Sequence, residues 1–478
     1  MKPGLAALSA AILSTVLAAG IGSWASEPAD ESRPGGQATS FKPLNSSAFS
    51  HPSANMRFER QLDFRVGDGI FRKLWVSSPS STVSSDGLGP LFNARGCQSC
   101  HLKDGRGRPP AAGEDAVSMF LRLSIPPQDA GHRRLLETLQ VPVIPEPTYG
   151  SQLQNFSVQG LLAEGRMEIS YTEFPVALAD GETVVLRRPA YKAAGLNYGP
   201  MHPDTMLSPR VASPMIGLGL LELIPEDAIL AHADPEDGNG DGIAGRPNRV
   251  WSAELGKVAI GRFGWKAAAA TVADQAAGAF LGDMGLSTHL APVSHGDCTA
   301  AQQDCLAAPN GNDGTEQVEV PRKMFDLVTF YARNLAVPAR RNMDDPAVRR
   351  GRQIFADAGC AGCHVPGFTT GSHPDRPEQS NQHIWPYTDL LLHDMGEGLA
   401  DHRPEGLADG RQWRTPPLWG VGLTKTVSGH EFLLHDGRAR GVLEAILWHG
   451  GEAEAAKRKV VAMSKQERAD LLAFINSL

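Results

Sequence analysis

Two copies of one short motif constrain this chain more than any other feature. Residues 97–101 read Cys-Gln-Ser-Cys-His, and residues 360–364 read Cys-Ala-Gly-Cys-His. This spacing is typical of covalent haem c attachment, because both cysteines add across the haem vinyl groups and the histidine becomes the proximal iron ligand. Zinc is the alternative for Cys-x-x-Cys, but it needs two further ligands at each site. We predict two covalently bound haem c groups, held by Cys97, Cys100, His101, Cys360, Cys363 and His364.

The first 25 residues predict a secretory signal peptide. Lys2 precedes the apolar run GLAALSAAILSTVLAAGIG, and Ser23-Trp24-Ala25 is a small-x-small cleavage pattern. Cleavage after Ala25 would place the protein in the periplasm without stable membrane insertion. An uncleaved membrane anchor is the alternative, since the run is near the lower length for a membrane span.

Two cysteines lie outside the haem motifs. Cys298 and Cys305 flank the hexapeptide TAAQQD. In an oxidising compartment such a pair is predicted to form a local disulfide.

Composition sets the domain organisation and the class of partner. A net charge of −8 argues against a nucleic-acid partner. Periodicity predicts a mainly α fold with two cytochrome c-like haem domains, the first enlarged by long loops and a β-hairpin turning at Asp180-Gly181. The predicted segments after the leader are a polar arm over 26–56, an enlarged haem domain over 57–338 and a smaller one over 344–478.

Carboxylates between the two motifs are candidates for acid–base chemistry and for calcium. Glu222 lies in the apolar stretch GLGLLELIP, where burial would raise the pKa of a carboxyl group, and a helix-end cap is its alternative role. Asp237, Asn239 and Asp241 alternate before Gly242 as in the first half of an EF-hand loop, although the twelfth position is Asn248 instead of Glu. A solvated turn is the alternative for this loop.

Three further residues are candidates around the haems. Trp265 in GRFGWKA is either an electron relay between the haems or a buried packing residue. Arg438 and Arg440 are candidate partners for the haem propionates, because guanidinium pairs bidentately with carboxylate. Surface arginines are the alternative for this pair.

Longer blocks of sequence resemble a known family. The C-terminal third, with WRTPPLWGVGLT and LLHDGRARGVLEAI, resembles bacterial di-haem cytochrome c peroxidases and the related enzyme that matures a tryptophan-derived quinone. A closer resemblance, over nearly the whole mature chain, is to the "di-haem oxidoreductase, putative peroxidase" family. The blocks that carry it are GLGPLFNARGCQSCH, SPRVASPMIGLGLLELIP, GRFGWKA, YTDLLLHDMG and LLHDGRARGVLEAILWHGGEA.

The resemblance implies both ligands of the second iron and an available site on the first. In the peroxidases a distal Met or Tyr lies fourteen residues beyond the His of His-Asp-Gly, and here His449 stands fourteen residues beyond His435. The family pattern thus implies His364 and His449 on the second iron, with a helix-surface histidine as the alternative. It also implies an open, catalytic first haem and raises the expectation of calcium. The stretch that offers sixth-ligand candidates for the first iron contains Met201, His202, Met206 and Met215.

The predicted function follows from these motifs and from the resemblance. An external donor, such as a small cytochrome or cupredoxin, would reduce the second haem, and the first haem would reduce hydrogen peroxide or a similar small oxidant. A non-enzymatic electron carrier or redox sensor is one alternative. An oxidase of a metal ion or of a protein side chain is another.

Overall fold

Short helices and two-stranded sheets, joined by long connections, position the two motifs. The structure is a computed structural model that describes Met1 and residues 30–312 and 316–478. Glu31–Leu478 forms one unit, and Met1–Asp30 forms another. The predicted leader lies outside the described residues apart from Met1. In the described parts of the chain no helix is long and apolar enough to cross a membrane.

The helices and strands are spread along the whole described chain. The helices are α1 Gln61–Phe71, α2 Cys97–Cys100, α3 Ala130–Glu137, α4 Leu218–Glu222, α5 Glu226–Leu230, α6 Val272–Met284, α7 Gln303–Leu306, α8 Arg322–Arg333, α9 Pro346–Ala358, α10 Thr424–Ser428, α11 Val442–Trp448, α12 Glu454–Ala462 and α13 Lys465–Ser477. The strands are β1 Leu91–Phe92, β2 Met119–Ser124, β3 Phe156–Ser157, β4 Arg166–Ala177, β5 Thr183–Ala194, β6 Met206–Val211, β7 Arg249–Ser252, β8 Lys257–Ile260, β9 Phe368–Thr369, β10 His383–Ile384, β11 Leu392–Asp394 and β12 Gln412–Arg414. They form six antiparallel pairs, β1 with β3, β2 with β6, β4 with β5, β7 with β8, β9 with β10 and β11 with β12.

The prediction of a mainly α fold is wrong. Helices make up 29% of the structure and strands 17%. Proline and glycine, with 35 and 51 residues, interrupt helices, because proline lacks a backbone donor and glycine loses the most backbone entropy on folding. Short strand pairs supply hydrogen bonds to part of the remaining backbone. The predicted hairpin is confirmed as β4 and β5, which turn at Gly181 with a φ of +87°.

The first haem motif is supported by a close crossing of two helices. α1 precedes the motif, and its Gly67 faces α8, where a Cβ would overlap the carbonyl oxygen of Leu327. One turn further along α1, Phe71 packs on Tyr331 of α8, with their ring centroids 5.3 Å apart. Phe71 also lies 6.3 Å from the ring of His101. The glycine therefore lets the helices approach closely enough to place an aromatic wall beside this histidine.

The second motif is supported by the same arrangement. Gly351 of α9 faces α13, where a Cβ would overlap the carbonyl oxygen of Asp470. One turn later, Phe355 packs on Phe474 at 5.2 Å and lies 6.2 Å from the ring of His364. The terminal helix α13 begins with the predicted capping box of Ser464 and Glu467. The chain thus contains two copies of one structural unit, each with a glycine, an aromatic residue four positions later and a haem motif.

Core packing joins the two halves of the chain. One cluster of buried residues contains Ile216 and Leu220 from the first half together with Leu391, Trp419 and Leu423 from the second. A domain boundary between 338 and 344 stays a prediction.

The segment predicted as a polar arm has buried members. Phe49 is 2% exposed and belongs to the shared cluster. Glu31 forms ion pairs with Arg340 and Arg352, and it accepts a hydrogen bond from the hydroxyl of Tyr387 at 3.0 Å. This segment therefore contacts the second helix unit as well as the first.

The close crossing of α9 and α13 is testable. We expect Gly351→Ala to lower the free energy of unfolding by about 1–3 kcal/mol, because the added methyl forces two packed helices apart. Thermal unfolding of the haem-loaded protein measures this. Gly69→Ala in α1 is the control: a Cβ there meets nothing within 4 Å, so that variant should be neutral or stabilised by about 0.5–1 kcal/mol. Equal stability of both variants would contradict the packing argument.

Candidate functional site

One cavity of 870 Å³ connects the two motifs. Cys97, Cys100 and His101 line one part of it, and Cys360, Cys363 and His364 line another. Trp265, Trp413 and His435 also line it. The six predicted haem-binding residues are therefore brought together around one cavity, although about 260 positions separate the motifs in the sequence.

The first motif is held by a short helix and a fixed imidazole. Cys97 and Cys100 lie on the single turn of α2. The ring Nδ1 of His101 lies 2.8 Å from the backbone oxygen of Ser213. Burial lowers the pKa of His101 to about 4, so the ring is neutral at physiological pH and the Nδ1 proton is the one donated. This hydrogen bond leaves Nε2 with a lone pair for a metal.

The second motif repeats this geometry. The ring Nδ1 of His364 lies 3.0 Å from the backbone oxygen of Tyr387. Burial is again the largest influence, and it lowers the pKa of His364 to about 4. Both proximal candidates are thus neutral imidazoles oriented by a backbone carbonyl.

His449 has the same environment as the two motif histidines. It follows α11, lines the cavity, and places Nδ1 2.7 Å from the backbone oxygen of Ala445. Burial lowers the pKa of its ring. A histidine lining the haem cavity with its outer nitrogen engaged has the arrangement of an iron ligand, whereas a surface histidine would face water.

The charges around the cavity also suit haem. Arg106 donates to the backbone oxygens of Phe432 and Leu434, and Arg414 donates to that of Gly264. Burial lowers the pKa of each guanidinium to about 10. Within residues 30–312 and 316–478 neither guanidinium forms an ion pair with a carboxylate. Buried cations of this kind require an anion, and haem propionates supply one.

Comparison with known proteins places the chain in a family. A family described as "Di-haem oxidoreductase, putative peroxidase" matches residues 29–478. The chain belongs to this family. The family implies two haem cofactors and an oxidoreductase. No curated protein matches the chain.

One solved structure shows a distant similarity. It is a chain of hydrazine synthase from Kuenenia stuttgartiensis, 19% identical, with 38% of this chain and 63% of that chain covered and a TM-score of 0.23. The match therefore spans less than two thirds of that chain, and a TM-score this low does not establish a common fold.

Glu222, the residue predicted as acid–base catalyst, is surrounded by charged and backbone groups instead of facing the cavity. Glu222 is absent from the cavity wall among the described residues. Its carboxylate accepts from Arg333 at 2.7 and 2.8 Å, from Arg376 at 2.7 Å and from the backbone amide of Val272 at 3.0 Å. These contacts are those of a structural anchor, and the catalytic assignment of Glu222 stays a prediction that they do not support.

Trp265 does line the cavity. It is 7% exposed, its indole donates to the backbone oxygen of Val211 at 2.9 Å, and Arg106 lies over its ring at 5.0 Å. Its ring is 6.5 Å from that of His435. A relay between the haems stays a prediction for Trp265, but the residue lies in the wall that both motifs share.

The two arginines predicted to bind propionates lie elsewhere. Arg438 pairs with Asp436 at 2.8 Å, and Arg440 pairs with Glu444 at 2.9 Å. Neither is among the described residues that line the cavity. Arg106 and Arg414 line the cavity instead, and propionate binding by Arg438 and Arg440 stays a prediction that their position does not support.

The predicted calcium loop is exposed and internally bonded. Asp237 accepts from the amide of Gly242 at 3.1 Å, and Asp241 accepts from the amide of Ile243 at 2.8 Å. Asn239 accepts from the amide of Asp241. Over the part of the chain that the structure describes, no group of three His, Cys, Asp or Glu residues is placed to hold a metal ion. Calcium at this loop stays a prediction.

Several cavity residues were missed by sequence reasoning. His435 stacks on Trp413 with ring centroids 3.8 Å apart, and its buried Nε2 has no hydrogen-bond partner among the described residues. Its place in the block LLHDGRARG was the available signal. Asp283 of α6 also lines the cavity, but nothing in its local sequence distinguishes it. Of the sixth-ligand candidates for the first iron, Met215 lines the cavity, whereas Met201, His202 and Met206 are absent from the described part of its wall.

The environment of Glu222 generates a prediction. Glu222→Gln should lower the free energy of unfolding by about 1–3 kcal/mol, because it removes one of the two carboxylates that Arg333 and Arg376 share and leaves Glu254 as the other. Thermal unfolding and peroxide turnover per haem would both be measured. Retained turnover with reduced stability supports the structural role. Lost turnover with unchanged stability would restore the catalytic one.

Proposed function

We propose that this chain is an exported di-haem c-type oxidoreductase that reduces hydrogen peroxide, or a similar small oxidant, with electrons from a donor protein. The observation that carries the proposal is the single cavity lined by both Cys-x-x-Cys-His motifs and by His449. Membership of a family named for peroxidases supports the same reaction class. The disulfide between Cys298 and Cys305, predicted from the sequence and present in the structure, suits an oxidising compartment and so supports export.

Each motif has a defined role in this proposal. Cys97 and Cys100, like Cys360 and Cys363, would form thioether bonds that attach the cofactors covalently. Once bound, the two haems would supply one-electron carriers and an iron that binds a small oxidant. His364 and His449 would together hold the iron of the second haem, which would serve in electron transfer. His101 would hold the iron of the first haem, which would supply the site for the oxidant.

The wall between the motifs provides a route for electrons. Trp265, His435 and Trp413 are in ring contact, with Trp265 to His435 at 6.5 Å and His435 to Trp413 at 3.8 Å. Buried aromatic rings in this position would couple the second haem to the first.

The donor is proposed to bind beside the second motif. Lys457 and Lys459 of α12 line the cavity, Lys457 pairs with Glu454 at 2.5 Å, and Lys459 donates to the backbone oxygen of Asp357 at 2.9 Å. Arg458 is exposed between them. In a chain of net charge −8, this basic rim favours a small acidic cytochrome or cupredoxin.

Electron paramagnetic resonance of the oxidised, haem-loaded protein tests the function. We expect one high-spin ferric signal from the first haem and one low-spin signal from the second, together with donor-dependent peroxide turnover. Two low-spin signals that persist after half-reduction, without turnover, would favour an electron carrier or sensor. Oxidation of Fe(II) or of a protein side chain without peroxide would favour the oxidase alternative.

His449→Ala should remove the low-spin signal of the second haem and leave the high-spin signal of the first haem unchanged. The reason is that loss of the sixth ligand converts a six-coordinate iron to a five-coordinate one. His383→Ala, which alters an exposed histidine of β10, is the control and should change neither signal. An unchanged spectrum in His449→Ala would assign the second iron's sixth ligand elsewhere.

Charge reversal tests the donor site. Lys457→Glu with Lys459→Glu should raise the KM for an acidic donor about tenfold at low ionic strength and weaken its salt dependence, because rim charges act mainly on association. The KM for peroxide should not change. Lys192→Glu, an exposed lysine of the hairpin, is the matched control. Equal effects of the rim and hairpin variants would contradict donor binding at α12.

A further inference from the structure

The proposed reaction consumes protons inside the cavity. Hydrogen peroxide accepts two electrons and two protons, its O–O bond breaks, and two water molecules form. The donor supplies the electrons in two one-electron transfers. A side chain at the cavity wall must therefore hold a proton for the departing oxygen.

The carboxyl groups in the wall are few, and most are already committed. Glu405 lies between Arg210 and Arg403, which hold its pKa down at about 2 against the cost of burial. Glu452 contacts His393 at 2.6 Å, and Asp274 accepts from the hydroxyl of Ser252 at 2.6 Å. Asp241 belongs to the exposed loop. Of the carboxyls among the described wall residues, Asp283 remains.

Asp283 is also distinct among buried carboxyls. Burial raises the pKa of four aspartate and glutamate residues in the structure, namely Asp104, Glu164, Asp283 and Asp297. Of these, only Asp283 lines the cavity in the described part of the chain. A carboxyl group of this kind keeps its proton to higher pH than an exposed one, and it can release that proton to a bound substrate.

The surroundings of Asp283 hold it in place. Its Oδ1 accepts from the amide nitrogen of Gln152 at 2.9 Å. The backbone of Gln152 forms a β-bridge with Arg122, whose guanidinium lies over Phe120 at 5.0 Å and also lines the cavity. The charge of Arg122 opposes the effect of burial on Asp283. A carboxyl and a guanidinium thus share one wall beside the first motif.

The other titratable groups that face Asp283 are the two cysteines of the first motif. The backbone oxygen of Asp283 accepts from the amides of Asn93 and Ala94 at 2.9 and 3.0 Å, which places Asp283 beside the attachment point of the first haem. It also acts electrostatically on both cysteines. In addition, the buried Oε1 of Gln152 has no hydrogen-bond partner among the described residues. Such an acceptor commonly receives a hydrogen bond from bound water, which would connect the carboxyl to a proton supply.

We propose that Asp283 is the catalytic acid of the first haem site, with Gln152 as its positioning residue and Arg122 as the cation that stabilises the developing negative oxygen. This inference rests on the proposed peroxide reduction. Asp283 gives its proton to the oxygen that departs as the O–O bond breaks, and that oxygen leaves as water. The second proton enters from solvent to form the second water, and Asp283 is then reprotonated.

Asp283→Asn tests the proposal, with Asp297→Asn as the matched control. Asp297 is half-buried near Arg122, accepts from Ser151 and from the backbone amide of Gln152, and lies outside the described cavity wall. We expect kcat for peroxide to fall about 100- to 1,000-fold in Asp283→Asn and by less than about threefold in the control. Haem content and the resonance spectrum should match the wild type in both.

A second measurement does not depend on turnover. In the infrared difference spectrum for azide binding to the oxidised holoprotein, the band of a protonated carboxyl should shift in the wild type and in Asp297→Asn, and should be missing in Asp283→Asn. If the wild type shows this band but no peroxide turnover, Asp283 is a protonated acid at the site but peroxide is not the substrate.

Wild-type kcat in Asp283→Asn would overturn the inference. If His435→Asn then loses turnover, His435 is the acid–base group. If Asp283→Asn does not bind haem, the kcat and pH profile of Asp283→Glu are measured in its place. Because the acid form is lost as pH rises, turnover should fall with increasing pH. Asp283→Glu should shift the pH at which turnover falls. An unchanged pH profile and kcat in Asp283→Glu would reject the proposal.

Discussion

The hydrogen bond between a ring Nδ1 and a backbone carbonyl underlies the whole site. His101, His364 and His449 each make one, to Ser213, Tyr387 and Ala445. Each bond fixes the tautomer and the ring orientation, so that Nε2 is the nitrogen available to iron. Ser213 lies 112 positions from His101 and Tyr387 lies 23 positions from His364, so these two geometries depend on the backbone path of other segments, whereas Ala445 is one helical turn before His449. The long sequence between the motifs therefore supplies more than spacing.

Close helix contact is the second requirement, and it is met twice by the same means. Gly67 and Gly351 each permit a helix to approach a later one, and an aromatic residue one turn on packs beside the motif histidine. The two units then share a buried cluster. A shared core holds the two motifs around one cavity without a flexible linker, as electron transfer between fixed centres requires.

Charge distribution separates residues that build the protein from residues that face the cavity. Glu222 is neutralised by two arginines, and Arg438 by Asp436. The buried Arg106 and Arg414 donate to backbone oxygens instead, and Asp283 accepts from the side-chain amide of Gln152. Buried charges that lack a protein counter-ion are costly unless a ligand compensates them. Their concentration around one cavity is the electrostatic signature expected of a di-haem site.

The sequence by itself determined the haem motifs, the family, the hairpin, the local disulfide and the terminal capping box, because each depends on residues close together in the chain. His449 was located by its fixed distance from His435 in a family pattern. The helix content was overestimated, since helical periodicity near the motifs says little about connections rich in proline and glycine. Only the tertiary structure decided which charges reach the cavity. Glu222 stands out in the sequence and Asp283 does not, because whether a carboxyl meets an arginine or an open cavity is set by segments more than a hundred residues away.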